Sequence, residues 1–197
     1  MIVTVASFKG GVGKTTTAVH LAGYLATKGP TCLIDGDQNR SATAWARRGS
    51  LPFPVADEKQ TARVARQYEH LVVDTAARPS DEELRDLVEG CDLLVIPTTP
   101  DALALDALSL TVDALRSLKA DRYRVLLTAI PPRPSRDGDE ARAMLNMEAL
   151  PVFLAGVRRL VALQKAALAG CLVNEVDDPR AGEAWRDYEA IGREILP

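Results

Sequence analysis

Hydrophobic residues in this chain form short apolar runs that alternate with longer segments of helical character. The apolar runs predict strands at residues 2–6, 31–34, 70–73, 92–96, 123–130 and 150–154. Helices are predicted at residues 14–28, 58–68, 101–118, 158–169 and 179–196. Two further helices are predicted to begin after the N-cap candidate Ser41 and at the capping box of residues 80–83. Regular alternation of strand and helix favours an α/β fold, in which a mostly parallel sheet carries helices on both faces.

Length and composition narrow the class of protein. A chain of 197 residues predicts one domain, spanning residues 1–197. No apolar run approaches the roughly 20 residues that cross a bilayer, and the chain begins directly with a strand. We therefore expect a cytoplasmic protein. The three cysteines are far apart and form no CxxC pair, which favours idle or buried thiols over a metal or disulfide framework.

A glycine-rich loop separates the first predicted strand from the first predicted helix. Together with the start of that helix it reads Lys9, Gly10, Gly11, Val12, Gly13, Lys14, Thr15 and Thr16. Glycines allow successive N–H groups to point at one anion, and the helix N-terminus adds partial positive charge there. Lys14 can reach terminal phosphates and the Thr15 hydroxyl can ligate Mg²⁺, so the pattern predicts a phosphate-binding loop.

Acidic residues follow two of the predicted strands. Asp74 ends the strand at residues 70–73, the arrangement of a Walker B aspartate that serves Mg²⁺. Asp35 and Asp37 follow the strand at residues 31–34, at the sheet edge where open α/β sheets bind ligands. The alternative for this pair is two turn-forming aspartates at a strand end.

The loop resembles the deviant Walker A box of the ParA/MinD ATPases, in which a second lysine stands at the loop's start. Lys9 occupies that position, and Phe8 stands where other phosphate loops have a glycine. The resemblance implies that Lys9 crosses a dimer interface to the partner's nucleotide. It also implies that Asp37 positions the attacking water, although the family's usual proline is replaced by Gln38. The family often has an asparagine after the fifth strand to read adenine, and residues 128–130 offer none.

Resemblance to small ParA-type proteins implies a function. Such proteins form homodimers on Mg-ATP, bind DNA of the nucleoid without sequence preference, and hydrolyse ATP slowly. A ParB-like or cargo-adaptor partner stimulates hydrolysis, and the cargo is a plasmid, a chromosome or a protein body. The resemblance therefore implies ATP and Mg²⁺ as cofactors and a cytoplasmic, nucleoid-associated protein without membrane binding.

Two other classes of protein remain as alternatives. A MinD-like protein would bind membrane through a basic amphipathic C-terminal helix. The C-terminal segment has a loose apolar stripe, but its acids balance its arginines, so a helix docked on the core fits better. A metabolic P-loop enzyme, such as a ligase or a small-molecule kinase, would need an acceptor pocket that no residue pattern here suggests.

DNA binding would depend on a local patch, because the net charge is −3. Nearly all basic residues after position 120 are arginines, which bind phosphate bidentately. Arg158 and Arg159 are adjacent and have no acidic neighbours in the sequence. We take these two as the candidate DNA contacts, against the alternative that they pair with acids elsewhere in the fold.

Overall fold

The computed structural model describes residues 1–196, which form a parallel sheet of six strands packed between helices. The strands are β1 (Ile2–Ser7), β2 (Thr31–Gly36), β3 (Val55–Asp57), β4 (His70–Ala77), β5 (Leu93–Thr98) and β6 (Tyr123–Leu127). The α-helices are α1 (Lys14–Ala26), α2 (Ser41–Arg48), α3 (Thr61–Val64), α4 (Asp81–Glu89), α5 (Ala102–Ser117), α6 (Asp137–Met147), α7 (Val161–Ala169) and α8 (Ala181–Ile195).

The strands are ordered β3-β2-β4-β1-β5-β6, so β1 and β4 lie side by side at the centre. In register, Val5 of β1 lies opposite Asp74 of β4, which in turn lies opposite Asp35 of β2. The carboxyl ends of these parallel strands meet at one edge, and this edge carries every candidate catalytic residue.

Strand residues supply two large cores, and Cys32, Ile34, Ala56 and Leu71 form a small third cluster. Val3 and Val5 point into a core shared with α1, α2, α7 and α8. Ala6, Leu94 and Ile96 point into a second core, shared with α4, α5 and α6. The predicted α/β fold with helices on both faces of a parallel sheet is therefore confirmed.

Several predicted elements differ from the structure. The segment at residues 150–154 forms only one bridge to β6, through Val152, because Pro151 has no N–H to donate to a ladder. The segment at residues 58–68 forms a 3₁₀ turn and one turn of helix, and it buries only part of Val64 and Tyr68. Strand β3 and helix α6 were not predicted: β3 has only three residues, and a proline-rich loop precedes α6.

The C-terminal helix α8 is docked on the first core, as the sequence suggested. Tyr188 and Ile191 are fully buried there, and the Tyr188 ring stacks on His20 of α1 with centroids 4.6 Å apart. Within residues 1–196, no helix has both the length and the apolar character needed to span a bilayer.

Candidate functional site

The glycine loop connects β1 to α1 and leaves its backbone open to a ligand. Gly11 and Gly13 have φ of 79° and 86°, the left-handed region that favours glycine. A Cβ atom at Gly10 or Gly11 would meet nothing within 4 Å. Gly13 caps α1 without a side-chain hydrogen bond, so the first N–H groups of the helix are available to an anion.

Lys14, the first residue of α1, folds back over this loop. Its Nζ donates to the carbonyl oxygen of Lys9 at 3.4 Å, and the residue is only 9% exposed. Burial lowers the pKa of Lys14, while the nearby carboxylates of Asp74 and Asp37 act in the opposite direction. The ammonium group thus lies in a partly desolvated place, where its attraction for a phosphate is stronger than in water.

Asp74 lies in β4, beside the strand that leads into the glycine loop. It is fully buried, and neither carboxylate oxygen has a hydrogen-bond partner among residues 1–196. Burial raises its pKa to about 7; the neighbouring Thr15 hydroxyl lowers it without reaching full hydrogen-bond geometry. A buried carboxylate without partners is costly unless a cation compensates it, so Asp74 and Thr15 fit a divalent cation held at this point.

The two aspartates after β2 have different surroundings. Asp35 is fully buried and accepts from the N–H and the hydroxyl of Thr43, at 2.8 and 2.5 Å, which anchors α2 to the sheet. Asp37 is half-buried and accepts only from the backbone and side chain of Asn39, at 3.1 and 3.3 Å. Asp37 therefore forms a turn through Asn39, as the alternative described, and its charge also acts on Lys14.

Helix α2 begins one residue away from where the sequence suggested. Ser41 is its first residue, and Arg40 precedes it in a left-handed conformation with φ of 53°. The Arg40 guanidinium donates to the Asp35 carbonyl and pairs with Asp57 of β3 at 2.7 Å. These contacts fix the loop that carries Asp37.

Lys9 is held within its own chain. Its Nζ pairs with Asp101 at 2.9 Å, and Asp101 also caps α5 through the Ala104 N–H and accepts from the Thr99 hydroxyl. Nothing in the sequence marked Asp101, which lies 92 positions from Lys9.

Thr128 is a second residue that sequence reasoning missed. Its buried hydroxyl lies 2.8 Å from the Val12 carbonyl and 3.1 Å from the Thr98 carbonyl. It joins the ends of β5 and β6 to the glycine loop. A threonine at the end of a buried strand gives no such signal by itself.

Arg158 is ion-paired within the fold, which is the alternative that the sequence left open for it. Its guanidinium pairs with Asp187 at 2.7 Å and with Glu183 at 2.9 Å, both on α8. Those acids are 25 and 29 positions away, so only the docking of α8 brings them close. Arg159, in contrast, is exposed.

Comparison with known protein families identifies the family to which this chain belongs. The sequence model of the CobQ/CobB/MinD/ParA nucleotide-binding domain, CbiA, matches residues 3–196. The chain belongs to this family. The ParA/MinD resemblance is thereby confirmed, and the MinD/ParA proteins of this family are P-loop ATPases.

Two curated relatives are similar over different lengths. Maintenance of carboxysome distribution protein A from Gloeobacter kilaueensis is 37% identical, over 98% of this chain and 93% of that protein. Protein ParA from Rhizobium radiobacter is 35% identical, over 66% of this chain and 65% of that protein.

Solved structures of this family share the fold. The MinD cell division protein of Aquifex aeolicus has a TM-score of 0.74 at 17% identity, covering 99% of this chain and 96% of that one. A putative plasmid partition protein from Borrelia burgdorferi, bound to AMPPNP, has a TM-score of 0.72 at 18% identity, covering 99% and 98%. At such identities these structures show a common architecture and no more.

Proposed function

We propose that this member of the MinD/ParA family is an ATPase that dimerises on Mg-ATP and hydrolyses it slowly, in order to position a cargo. The observation that carries the proposal is the grouping of the open glycine loop, buried Lys14 and the unpartnered carboxylate of Asp74. A phosphate chain would accept hydrogen bonds from the loop amides and pair with the Lys14 ammonium group. The cation bound to the phosphates would neutralise the Asp74 carboxylate. Phosphoryl transfer needs chiefly this kind of positioned charge.

Each site residue then has a role. The amides of Gly10, Gly11, Val12, Gly13, Lys14, Thr15 and Thr16 hold the phosphates, which Lys14 also contacts with its ammonium group. Thr15 and Asp74 hold the magnesium ion, which supplies neutralisation of the phosphate charge when it is bound. Asp37 orients the attacking water, a role for which its half-buried position after β2 and its few hydrogen bonds leave it available.

The surface beside Lys9 supports dimerisation. Leu103 and Leu110 of α5 are 72% and 65% exposed, and with Ala107 they line an open cavity of about 590 Å³. The rest of its wall is formed by Phe8, Lys9, Arg78, Pro79 and Asp81. An exposed apolar stripe next to a basic residue is suited to a protein interface. In the proposed dimer, Lys9 exchanges Asp101 for the partner's nucleotide.

The proposed cargo is a protein body. Two relatives that match this chain over nearly its full length are maintenance of carboxysome distribution proteins, from Gloeobacter kilaueensis and Halothiobacillus neapolitanus. Plasmid and chromosome relatives match as well, ParA of Rhizobium radiobacter and Soj of Thermus thermophilus among them. A ParB-like or cargo-adaptor partner would link the ATPase to whichever cargo it carries.

We further propose that the ATP dimer is nucleoid-associated through non-specific DNA binding, with the contact moved from Arg158 to Arg159 and Arg133. These two line a cavity of about 250 Å³ together with Arg158 and Arg180, whose guanidinium groups are paired with α8 acids. Arg133 is 85% exposed, and its pairing with Asp139 at 3.5 Å is long. Such a weak surface pair costs little to exchange for a DNA phosphate.

Membrane attachment through the C-terminal helix is not favoured. The apolar residues of α8 that a bilayer would need, Tyr188 and Ile191, are buried against α1. Glu183 and Asp187 on the polar side hold Arg158. The helix stabilises the fold, and partitioning into a bilayer would require it to leave the core.

The nucleotide assignment is tested by replacing Lys14. Lys14→Ala should weaken Mg-ATP binding by about 100-fold, because it removes a charge-assisted contact to the terminal phosphates. Isothermal titration calorimetry measures this directly. Lys28→Ala, an exposed lysine just past the other end of α1, is the control and should bind normally. Unchanged ATP affinity in Lys14→Ala would overturn the assignment.

A further inference from the structure

A second cavity adjoins the glycine loop on the side away from Lys9. Its volume is about 280 Å³, and Gly11, Val12 and Gly13 form one wall. Residues 157–160 and the first turns of α7 form the opposite wall. If phosphates bind at the glycine loop as proposed above, this cavity is the space beside them into which the nucleoside extends.

Most polar side chains that line the cavity are already engaged. The Thr128 hydroxyl is directed at the Val12 and Thr98 carbonyls, and the Arg158 guanidinium is ion-paired with Glu183 and Asp187. Tyr188 is buried, with its ring against His20. Thr16 lies in the first turn of α1, on the phosphate side. Arg159 and Gln164 are therefore the exposed polar side chains left for a base.

These two side chains differ in what they can recognise. A guanidinium has donors only, and its preferred partners are the two acceptors of guanine, O6 and N7. A glutamine amide has a donor and an acceptor side by side, which match the adenine amino group and the ring nitrogen next to it. We propose that Gln164, in the first turn of α7, sets the preference of the site for adenine.

Gln164 would take the base-reading role that an asparagine after strand β6 often has in the ParA/MinD family. No asparagine follows β6 here, and the threonine in that place is used to hold the glycine loop. Gln164 approaches the cavity from the opposite wall instead. The inference rests on the proposed nucleotide function and adds the residue that distinguishes the base.

The test compares the affinities for Mg-ATP and Mg-GTP of the full chain by calorimetry. The wild-type protein should prefer ATP by about tenfold or more, the discrimination expected of a bidentate amide contact. Gln164→Ala should lose most of this preference by weakening ATP binding. Gln164→Glu should favour GTP, because a carboxylate accepts from the N1–H and amino groups of guanine and repels the acceptor nitrogen of adenine.

Arg159→Ala is the matched control, from the same cavity. It should keep or raise the preference for ATP, because the guanidinium that it removes has only donors and would favour guanine. If both Gln164 variants keep the wild-type ratio, or if the wild type binds ATP and GTP equally, the role of Gln164 is refuted while the nucleotide site stands. If the wild type binds neither, the proposed function fails and the role of Gln164 fails with it.

Discussion

At the scale of single residues, Asp74 is where burial and charge oppose each other most. The sequence predicted Asp74 at the end of an apolar strand, whereas β4 continues past it to Ala77, and both of its oxygens lack hydrogen-bond partners among residues 1–196. Lys14 and the glycine loop were predictable, since their chemistry lies in contiguous residues. The pairing of Arg158 was not, because Glu183 and Asp187 come close only when α8 folds back.

Asp74→Asn should make the nucleotide-free protein more stable at neutral and higher pH. The native pKa of about 7 lies above the unfolded value, so the native state holds the extra proton. That stabilisation is complete below about pH 4 and is lost as the pH rises through about 7, a loss of about 4 kcal/mol for this group. The asparagine variant should lack this loss.

Urea unfolding of wild type and variant, without nucleotide, at pH 5 and pH 8 measures the difference. Asp113→Asn, an exposed aspartate of α5, is the control and should follow the wild type. If the difference in unfolding free energy between wild type and Asp74→Asn is the same at pH 8 as at pH 5, the ionised Asp74 carboxylate does not destabilise the nucleotide-free protein.

At the scale of elements, the docking of α8 depends on buried His20. Its Nδ1 donates to the Thr16 carbonyl at 2.7 Å and its Nε2 accepts from the Val173 N–H at 3.1 Å, so the ring must be neutral. Burial lowers its pKa to about 4. Its two partners are Thr16, four positions earlier, and Val173, which lies 153 positions away in the sequence.

Acidification should therefore weaken the fold through His20. Between about pH 6.5 and pH 4 the unfolded chain binds the proton and the native state does not, which removes about 3 kcal/mol of unfolding free energy. Asp74 acts in the opposite direction over part of this range, so the informative quantity is the difference between wild type and His20→Gln. That difference should decrease on acidification in urea titrations; a constant difference would contradict the role of His20.

Elements that were mispredicted share a physical cause. Strand β3 pairs with β2 through only three residues, and Pro52 and Pro54 just before it favour a connector over a strand. Helix α6 follows Pro131, Pro132 and Pro134, which predict loop, yet Ala141 and Leu145 bury a face on the second core. Tertiary packing decided these elements, and local pattern did not show it.

At the scale of the whole molecule, the net charge is −3, yet four arginines line one cavity: Arg133, Arg158, Arg159 and Arg180. Replacing both Arg133 and Arg159 with Glu should abolish binding of the ATP dimer to random duplex DNA at low salt. ATP-dependent dimerisation should persist. The charge-matched control replaces Arg63 and Arg66 with Glu. Both arginines are exposed and lie in the segment that follows the edge strand β3.

Wild-type binding should weaken by roughly tenfold or more between low and physiological salt, because several phosphate contacts release counterions. Fluorescence anisotropy with a labelled random duplex measures both effects. If the control pair abolishes binding and the Arg133 and Arg159 pair does not, the DNA face lies elsewhere.

The central claim is that ATP binding and dimerisation are one event, linked by Lys9. Light scattering of Asp37→Ala with Mg-ATP tests it most directly, because a variant that binds ATP without hydrolysing it should stay dimeric. Adding Lys9→Ala to that variant should return it to a monomer that still binds ATP. A monomeric Asp37→Ala protein, or a double variant that remains a dimer, would contradict the account.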